Sequence, residues 1–566
     1  SNLAGGETLS HSGTATLGSK NVGSSTISNL SGISIANGTG AASNYTLTGG
    51  THNFTVNKRV VNVSGTRLYN ALNTAVASDL STMTNLVGSE TLVLSNSGTL
   101  ANANVGSNKT VTIGSLSLGN GSNGGLAGNY TLTGGTHQLT VNPAVISFTG
   151  SRQYNGSTAV NNSNITLTGQ QGGEDLTLSG AGLISSKNVG SGKTVNVSGL
   201  TLENGISGTA GTASNYTFTG GTQTFDVTQR VLDSSGSRTY DATSSVSSGI
   251  LTLSNLIGSE TLTLSGSGTL STAAAGANKS IGVGTLSLGN GSNGGLAANY
   301  VLSGGAHLLT VSQKPISITG TRVYDGTTDV LASNVNLNGL QGGESLAITG
   351  TGSISSKNIG SGKTVTLGSL ALGNGSGGTP GTASNYTFTG GTHTFDVTKR
   401  NVTFNGTRTY DGTQTVNASD LTTIINLVGS ETLTFSGSGT VTSANVGTGK
   451  SITNGSLALV NGTGLASNYN LTTGTYDITK RWVNFSGSRA YDATTSVSNS
   501  VLTMSNLVSG ETLGISGSGT IASAEIGAGK SVSVGSLALV NGSGLASNYT
   551  FGTLSVNVTQ RAVTIS

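Results

Sequence analysis

Apolar and polar residues alternate along this chain with the period of an extended strand. In Glu431-Thr-Leu-Thr-Phe-Ser and Thr392-His-Thr-Phe-Asp-Val the apolar side chains fall at every second place. That spacing turns one face of a strand inward and leaves the other in water. No segment carries a helical period. With residues 401–481 as the type, the pattern predicts a first strand at Asn401-Val-Thr-Phe-Asn and a second at Gly406-Thr-Arg-Thr-Tyr-Asp-Gly, ending in a turn. Further strands follow at Leu421-Thr-Thr-Ile-Ile-Asn-Leu, Thr432-Leu-Thr-Phe-Ser, Lys450-Ser-Ile, Ser456-Leu-Ala-Leu and Thr475-Tyr-Asp-Ile-Thr. This makes about seven short strands punctuated by Gly, Asn and Asp, the layout of a β-sandwich. The chain reads as all-β.

The whole pattern returns about every 85 residues, and such a period sets the architecture. Gly-x-Arg-x-Tyr occurs at Arg67 and Tyr69, Arg152 and Tyr154, Arg238 and Tyr240, Arg322 and Tyr324, Arg408 and Tyr410, and Arg489 and Tyr491. Asp325 and Asp411 follow two of these tyrosines, and Asn-Tyr recurs at Tyr45, Tyr130, Tyr216, Tyr300, Tyr386, Tyr469 and Tyr549. A unit of this size can close a small core, whereas a solenoid turn must borrow its neighbour's. The expected architecture is a tandem array of small Ig-like antiparallel β-sandwich domains forming a rod. The repeats are placed at 60–144, 145–230, 231–314, 315–400, 401–481 and 482–561, with a partial unit at 1–59 and the start of another at 562–566. The chain is thus expected to be an excerpt of a longer tract. Each unit is expected to bury its own apolar side chains.

No flexible linker separates the units. A basic residue marks most junctions (Arg59, Arg230, Lys314, Arg400, Arg481, Arg561), and Pro143 and Pro315 stiffen two of them. At strands of about 20 Å plus loops, the array would extend on the order of 200 Å. Asn-Gly, present in every unit from Asn37 to Asn541, is expected to supply positive φ at turns. The longer loops that follow it, Ile206 to Ser214 and Ser376 to Ser384, are where unit-specific binding would sit. Units 60–144 and 231–314 match closely, as do 145–230 and 315–400, which indicates duplication of a two-unit cassette.

Composition narrows the chemistry. Gly 90 hints at low complexity, but 34% hydrophobic and only 8% charged residues argue against disorder. Cysteine is absent, so thiol and disulfide chemistry are excluded. No apolar run reaches the ~18 residues of a membrane span, and membrane insertion is not expected. Every one of the 24 Lys and Arg occupies a repeated position, leaving none to build a basic patch for nucleic acid. His52, His137, His307 and His393 sit one per unit, at places read as equivalent to Gln223 and Tyr476, so they cannot converge on a metal. One Glu occupies a Gly-Glu-type turn in each unit, while the Tyr-Asp acid becomes Asn at Asn70 and Asn155, which suits a turn former better than a general acid. No cofactor is expected. Calcium is the one left open, although 21 acids spread along the chain are sparse for an ion that takes 6–8 oxygens. Arg408 is expected to pair with Asp411 or Glu431. The tyrosines are read as core and corner residues, and Trp482 is the only tryptophan. No nucleophile–base arrangement and no phosphate loop is present, so no enzyme activity is expected.

Arg322-Val-Tyr-Asp-Gly-Thr-Thr, then Gly-Gly-Glu344, Lys357-Asn-Ile-Gly-Ser-Gly-Lys363 and Asn385-Tyr-Thr together resemble the YDG repeat and the related MBG repeat. The resemblance covers essentially the whole chain, with Tyr69-Asn-Ala, Tyr154-Asn-Gly, Tyr240-Asp-Ala and Tyr491-Asp-Ala as departures. It implies the shaft of a large Gram-negative surface exoprotein, similar to filamentous haemagglutinin and exported by two-partner secretion. The expected location is extracellular, at the bacterial cell surface. The expected partners are other cells, matrix polysaccharide or a host surface, met through regions outside this sequence. Two alternatives stand beside the shaft: each unit is a weak ligand- or glycan-binding module acting by multivalency, or the chains self-associate into extracellular filaments.

Overall fold

The computed structural model describes residues 1–564. It divides into two compact units, one of residues 1–236, 246–269 and 280–308, the other of 237–245, 270–279 and 309 onward. Residues 231–314 contribute to both.

The second unit contains the type repeat whole. Its strands are β1 (Arg400–Thr409), β2 (Thr415–Asn417), β3 (Leu421–Ile425), β4 (Leu433–Ser436), β5 (Ser438–Val441), β6 (Gly447–Thr453), β7 (Ala458–Asn461), β8 (Tyr469–Leu471) and β9 (Thr475–Thr479). Three-residue 3-10 turns precede β3 and β8, and no α-helix occurs among the described residues. Where a first and a second strand were expected, Arg400–Thr409 form a single run, because Asn405 and Gly406 keep the ladder to β3 through a register shift. The main sheet has the order β2-β5-β6-β9-β1-β3, and β4 pairs with β7 in a second, smaller sheet. Most neighbours are antiparallel. The exception is functional to the closure: β1 runs parallel to both β8 and β9, so the repeat's first strand is zipped to its last two. The first unit repeats this design, with Ser151–Gln153 parallel to Asp226–Thr228.

Phe404, Val416, Val441, Ile452, Tyr476 and Ile478 fill the space between the sheets, all at most 4% exposed. The core does not stop there. Val402, Leu433 and Tyr469 join the cluster of Ile318, Tyr324, Val330 and Phe395 in the preceding repeat. In the first unit Ala144, Ile146 and Tyr216 continue the core of Val61 through Val141. Repeats therefore do not bury their apolar residues separately. The physical reason is the connection: Lys399 alone separates the strand ending at Thr398 from β1, leaving no length to hold adjoining cores apart.

Asn-Gly works differently from the expected positive-φ turn. None of these seven asparagines has positive φ. Asn461 ends β7, and its Oδ1 accepts the Ala466 N–H at 2.7 Å, pinning the loop. Gly462 is required because a Cβ there would collide with the Thr432 carbonyl. The longer loops are also tied down: Thr379–Pro380 adds a parallel strand against Glu344 and Ser345, and Thr209–Ala210 does so against Glu174 and Asp175.

The joint between neighbouring repeats as the candidate functional site

The two recurring motifs meet at the seam between repeats. Tyr324 lies at the end of a strand whose arginine staples the following turn, which aims its phenol out of its own repeat. There its Oη donates to Glu431 Oε1 of the next repeat at 2.6 Å. Tyr469, from the Asn-Tyr motif of that next repeat, donates to Glu431 Oε2 at 2.6 Å. The two rings pack edge to face at 5.4 Å, a favoured aromatic geometry. One carboxylate is thus held by two tyrosines from adjoining repeats.

The arrangement recurs at every seam that has both motifs. Glu174 takes Tyr69 and Tyr216, Glu260 takes Tyr154 and Tyr300, Glu344 takes Tyr240 and Tyr386, and Glu511 takes Tyr410 and Tyr549, all at 2.5–2.7 Å. Each Asn-Tyr phenol also accepts a backbone N–H three residues before the glutamate, as from Val428 and Val508. The asparagine of Asn-Tyr makes a second bridge. Asn468 Oδ1 accepts the Ile359 N–H at 3.0 Å and its Nδ2 donates to Asn358 at 2.9 Å. Asn129, Asn215, Asn299 and Asn548 do the same. Lysine joins some seams: Lys187 lies 3.1 Å from Glu260 and Lys357 3.3 Å from Glu431, while Lys20 is 4.0 Å from Glu90.

Titration follows from this geometry. Burial, then the hydrogen bond to Glu174, pushes the Tyr69 phenol up to about 12. The same two causes raise Tyr240, Tyr300, Tyr324, Tyr469 and Tyr549 to about 12. Burial pushes Glu260 and Glu431 upward, but the tyrosine and lysine hydrogen bonds outweigh it and hold both below the ordinary range.

The arginines stay within their repeats. Arg408 donates to the carbonyls of Thr413 and Thr415 and pairs with Asp411 at 3.1 Å. Of its two expected partners, therefore, Glu431 is not one, because the tyrosines occupy it. Arg152 and Arg322 hold the matching carbonyls, as do Arg67 and Arg238, while Arg489 holds the carbonyl and hydroxyl of Thr494. Arg322 is paired with Asp325 at 3.4 Å. Asp325 Oδ1 also caps the Thr327 N–H, and Asn70 and Asn155 cap Leu72 and Ser157 in the same way, which explains why Asn and Asp interchange there. Where Asn70 lacks the charge, Asp79 reaches Arg67 at 3.1 Å. Tyr491 is half-buried and meets no glutamate among the described residues.

One expected equivalence is not met: Gln223 does occupy the histidine position, but Tyr476 does not. Gly474, not Tyr476, stands where other repeats have His393 or Gln223: its carbonyl accepts the Ile452 N–H as theirs accept Val365 and Val195. Tyr476 replaces Phe395 in the core, and Arg408 lies over its ring at 5.7 Å. His137, His307 and His393 each bond the carbonyl five residues earlier, at Leu132, Leu302 and Phe388. Among the described residues no group of three or more His, Cys, Asp or Glu is placed to hold a metal. The glutamate's bridging role is the feature that sequence reasoning missed. Its signal was present, since Glu stands in every Gly-Glu-type turn while the other acid position tolerates Asn.

The family described as YDG domain matches the chain over residues 55–138, 136–224, 227–307, 309–394, 397–476 and 480–556. Among curated proteins none matches the chain.

Proposed function

The chain belongs to the YDG domain family, with six tandem copies, and we propose that it serves as the shaft of a secreted bacterial surface adhesin. In this role it projects a distal binding region or links cells within a matrix. The observation that carries the reading is the seam: a spacer must transmit force and hold direction, and in each Tyr–Glu–Tyr bridge one charge-assisted hydrogen bond crosses to the next repeat while a second, within that repeat, holds the glutamate in place. Shared apolar cores reinforce the tie. No catalytic constellation, metal or cofactor is invoked, and location outside the cell is part of the proposal. Deleting residues 231–400, a two-repeat cassette, tests it. Reach between cell and target should shorten while the force to break one contact stays the same. A steep loss of avidity with unchanged reach would favour binding by the repeats instead.

One observation favours that second reading. Trp482 is 67% exposed beside Lys480, Arg481 and Asn506 in a shallow cleft, a surface suited to stacking an acidic sugar. Because the chain has one Trp, its fluorescence reports directly on an added oligogalacturonate. A saturable shift supports the carbohydrate reading, and a flat titration removes it.

A further inference from the structure

Above each Tyr–Glu–Tyr bridge, a turn of one repeat presses on the glutamate loop of the next, and the two surfaces vary together. The turn residue two places after the bridging tyrosine is Gly156, Gly326 or Gly412 at three seams, and Ala71 or Ala242 at two. All five have positive φ, between 63° and 79°. Facing them, three residues before the glutamate, are Ile257, Val428 and Val508 opposite the glycines, but Gln171 and Gln341 in the loops opposite the alanines. A Cβ built on Gly156, Gly326 or Gly412 would lie 2.7–2.8 Å from a γ-methyl of Ile257, Val428 or Val508. Real Cβ atoms do not approach so closely, and a β-branched side chain has little freedom to swing away. Opposite Ala71 the branched methyl is missing, and the Gln171 side chain turns back to its own Gly169 carbonyl.

We infer that this contact is a neighbour-matching code: a repeat with a glycine turn accepts a following repeat with Ile or Val, and a repeat with an alanine turn requires an unbranched residue there. All five seams obey it. The code selects which repeat may follow which, and it holds whether or not the chain is an adhesin shaft. It also accounts for the two-repeat duplication. Copying a matched pair reproduces matched seams, whereas copying the repeat 145–230 alone would set Gly156 against Gln171, a loose fit. Removing 315–400 alone would set Ala242 against Val428, a clash.

The test is hydrogen exchange on the full chain, read at the Val428 amide, which donates to Tyr469 at the seam. Gly326→Ala should raise exchange there about tenfold, the effect of a tenfold shift in an opening equilibrium. Adding Val428→Gln should bring it back to within about twofold of the parent. Backbone strain alone cannot be rescued by a change in the next repeat, so failure of Val428→Gln to restore protection overturns the code, as does an unperturbed Gly326→Ala. A second measurement covers whole repeats. The chain lacking 231–400 sets Gly156 against Val428 and should keep protection at that amide. The chain lacking 315–400 should lose it, and equal protection in the two would contradict the inference.

Discussion

A carboxylate buried between two phenols is stable only because both of its oxygens are satisfied. Glu431 has 14% of its side chain exposed and accepts Tyr324, Tyr469 and Lys357. Hydrogen bonds to a charged group contribute about 1.5–3 kcal/mol each. Glu431→Ala leaves two phenols without an acceptor and should destabilise the repeats on both sides of the seam by about 2–4 kcal/mol, read as a lowered denaturant midpoint. Tyr324→Phe should cost about half as much, since the Tyr469 bond to Glu431 survives. The pH response has two limbs. The tyrosines are raised to about 12 in the fold, so their stabilisation is complete below the ordinary tyrosine value of about 10 and lost as pH climbs from there through 12. Glu260 and Glu431 are depressed, so their contribution is present above the ordinary carboxylate range and lost only as pH falls through those lowered values. Circular dichroism across pH should show a plateau with loss at both extremes. Unfolding that begins at neutral pH would contradict this.

Within an element, side-chain caps do the work expected of turn-forming dihedrals. Asn461→Ala removes the bond that closes the loop onto Ala466 and should cost about 1 kcal/mol, measured by denaturant unfolding, whereas Gly462→Ala should cost more through collision with Thr432. Arg408→Met frees the carbonyls of Thr413 and Thr415 and should raise amide exchange in β2 and its preceding turn. Much of this level was legible in sequence. Alternation in Thr432-Leu-Thr-Phe-Ser gives β4, and Thr475-Tyr-Asp-Ile-Thr gives β9. Two things were not. Parallel pairing of β1 with β9 joins the two ends of a repeat, and strand period carries no information about a partner so distant. The bridging by Glu431 was hidden because its two tyrosines come from different repeats, while a motif read within one repeat suggests only a corner tyrosine and a turn acid.

At the scale of the chain, each compact unit is a run of repeats whose cores continue into one another. Nearest-neighbour coupling of this kind makes repeats open together rather than singly. In the proposed shaft, stiffness therefore comes from the glutamate seams. The most direct test is electron microscopy of single molecules, comparing end-to-end distances of the parent chain with a variant carrying Glu260→Ala, Glu344→Ala and Glu431→Ala. The account predicts a narrow distribution for the parent and a broad, shortened one for the variant. Equal widths, whether both narrow or both broad, would contradict it.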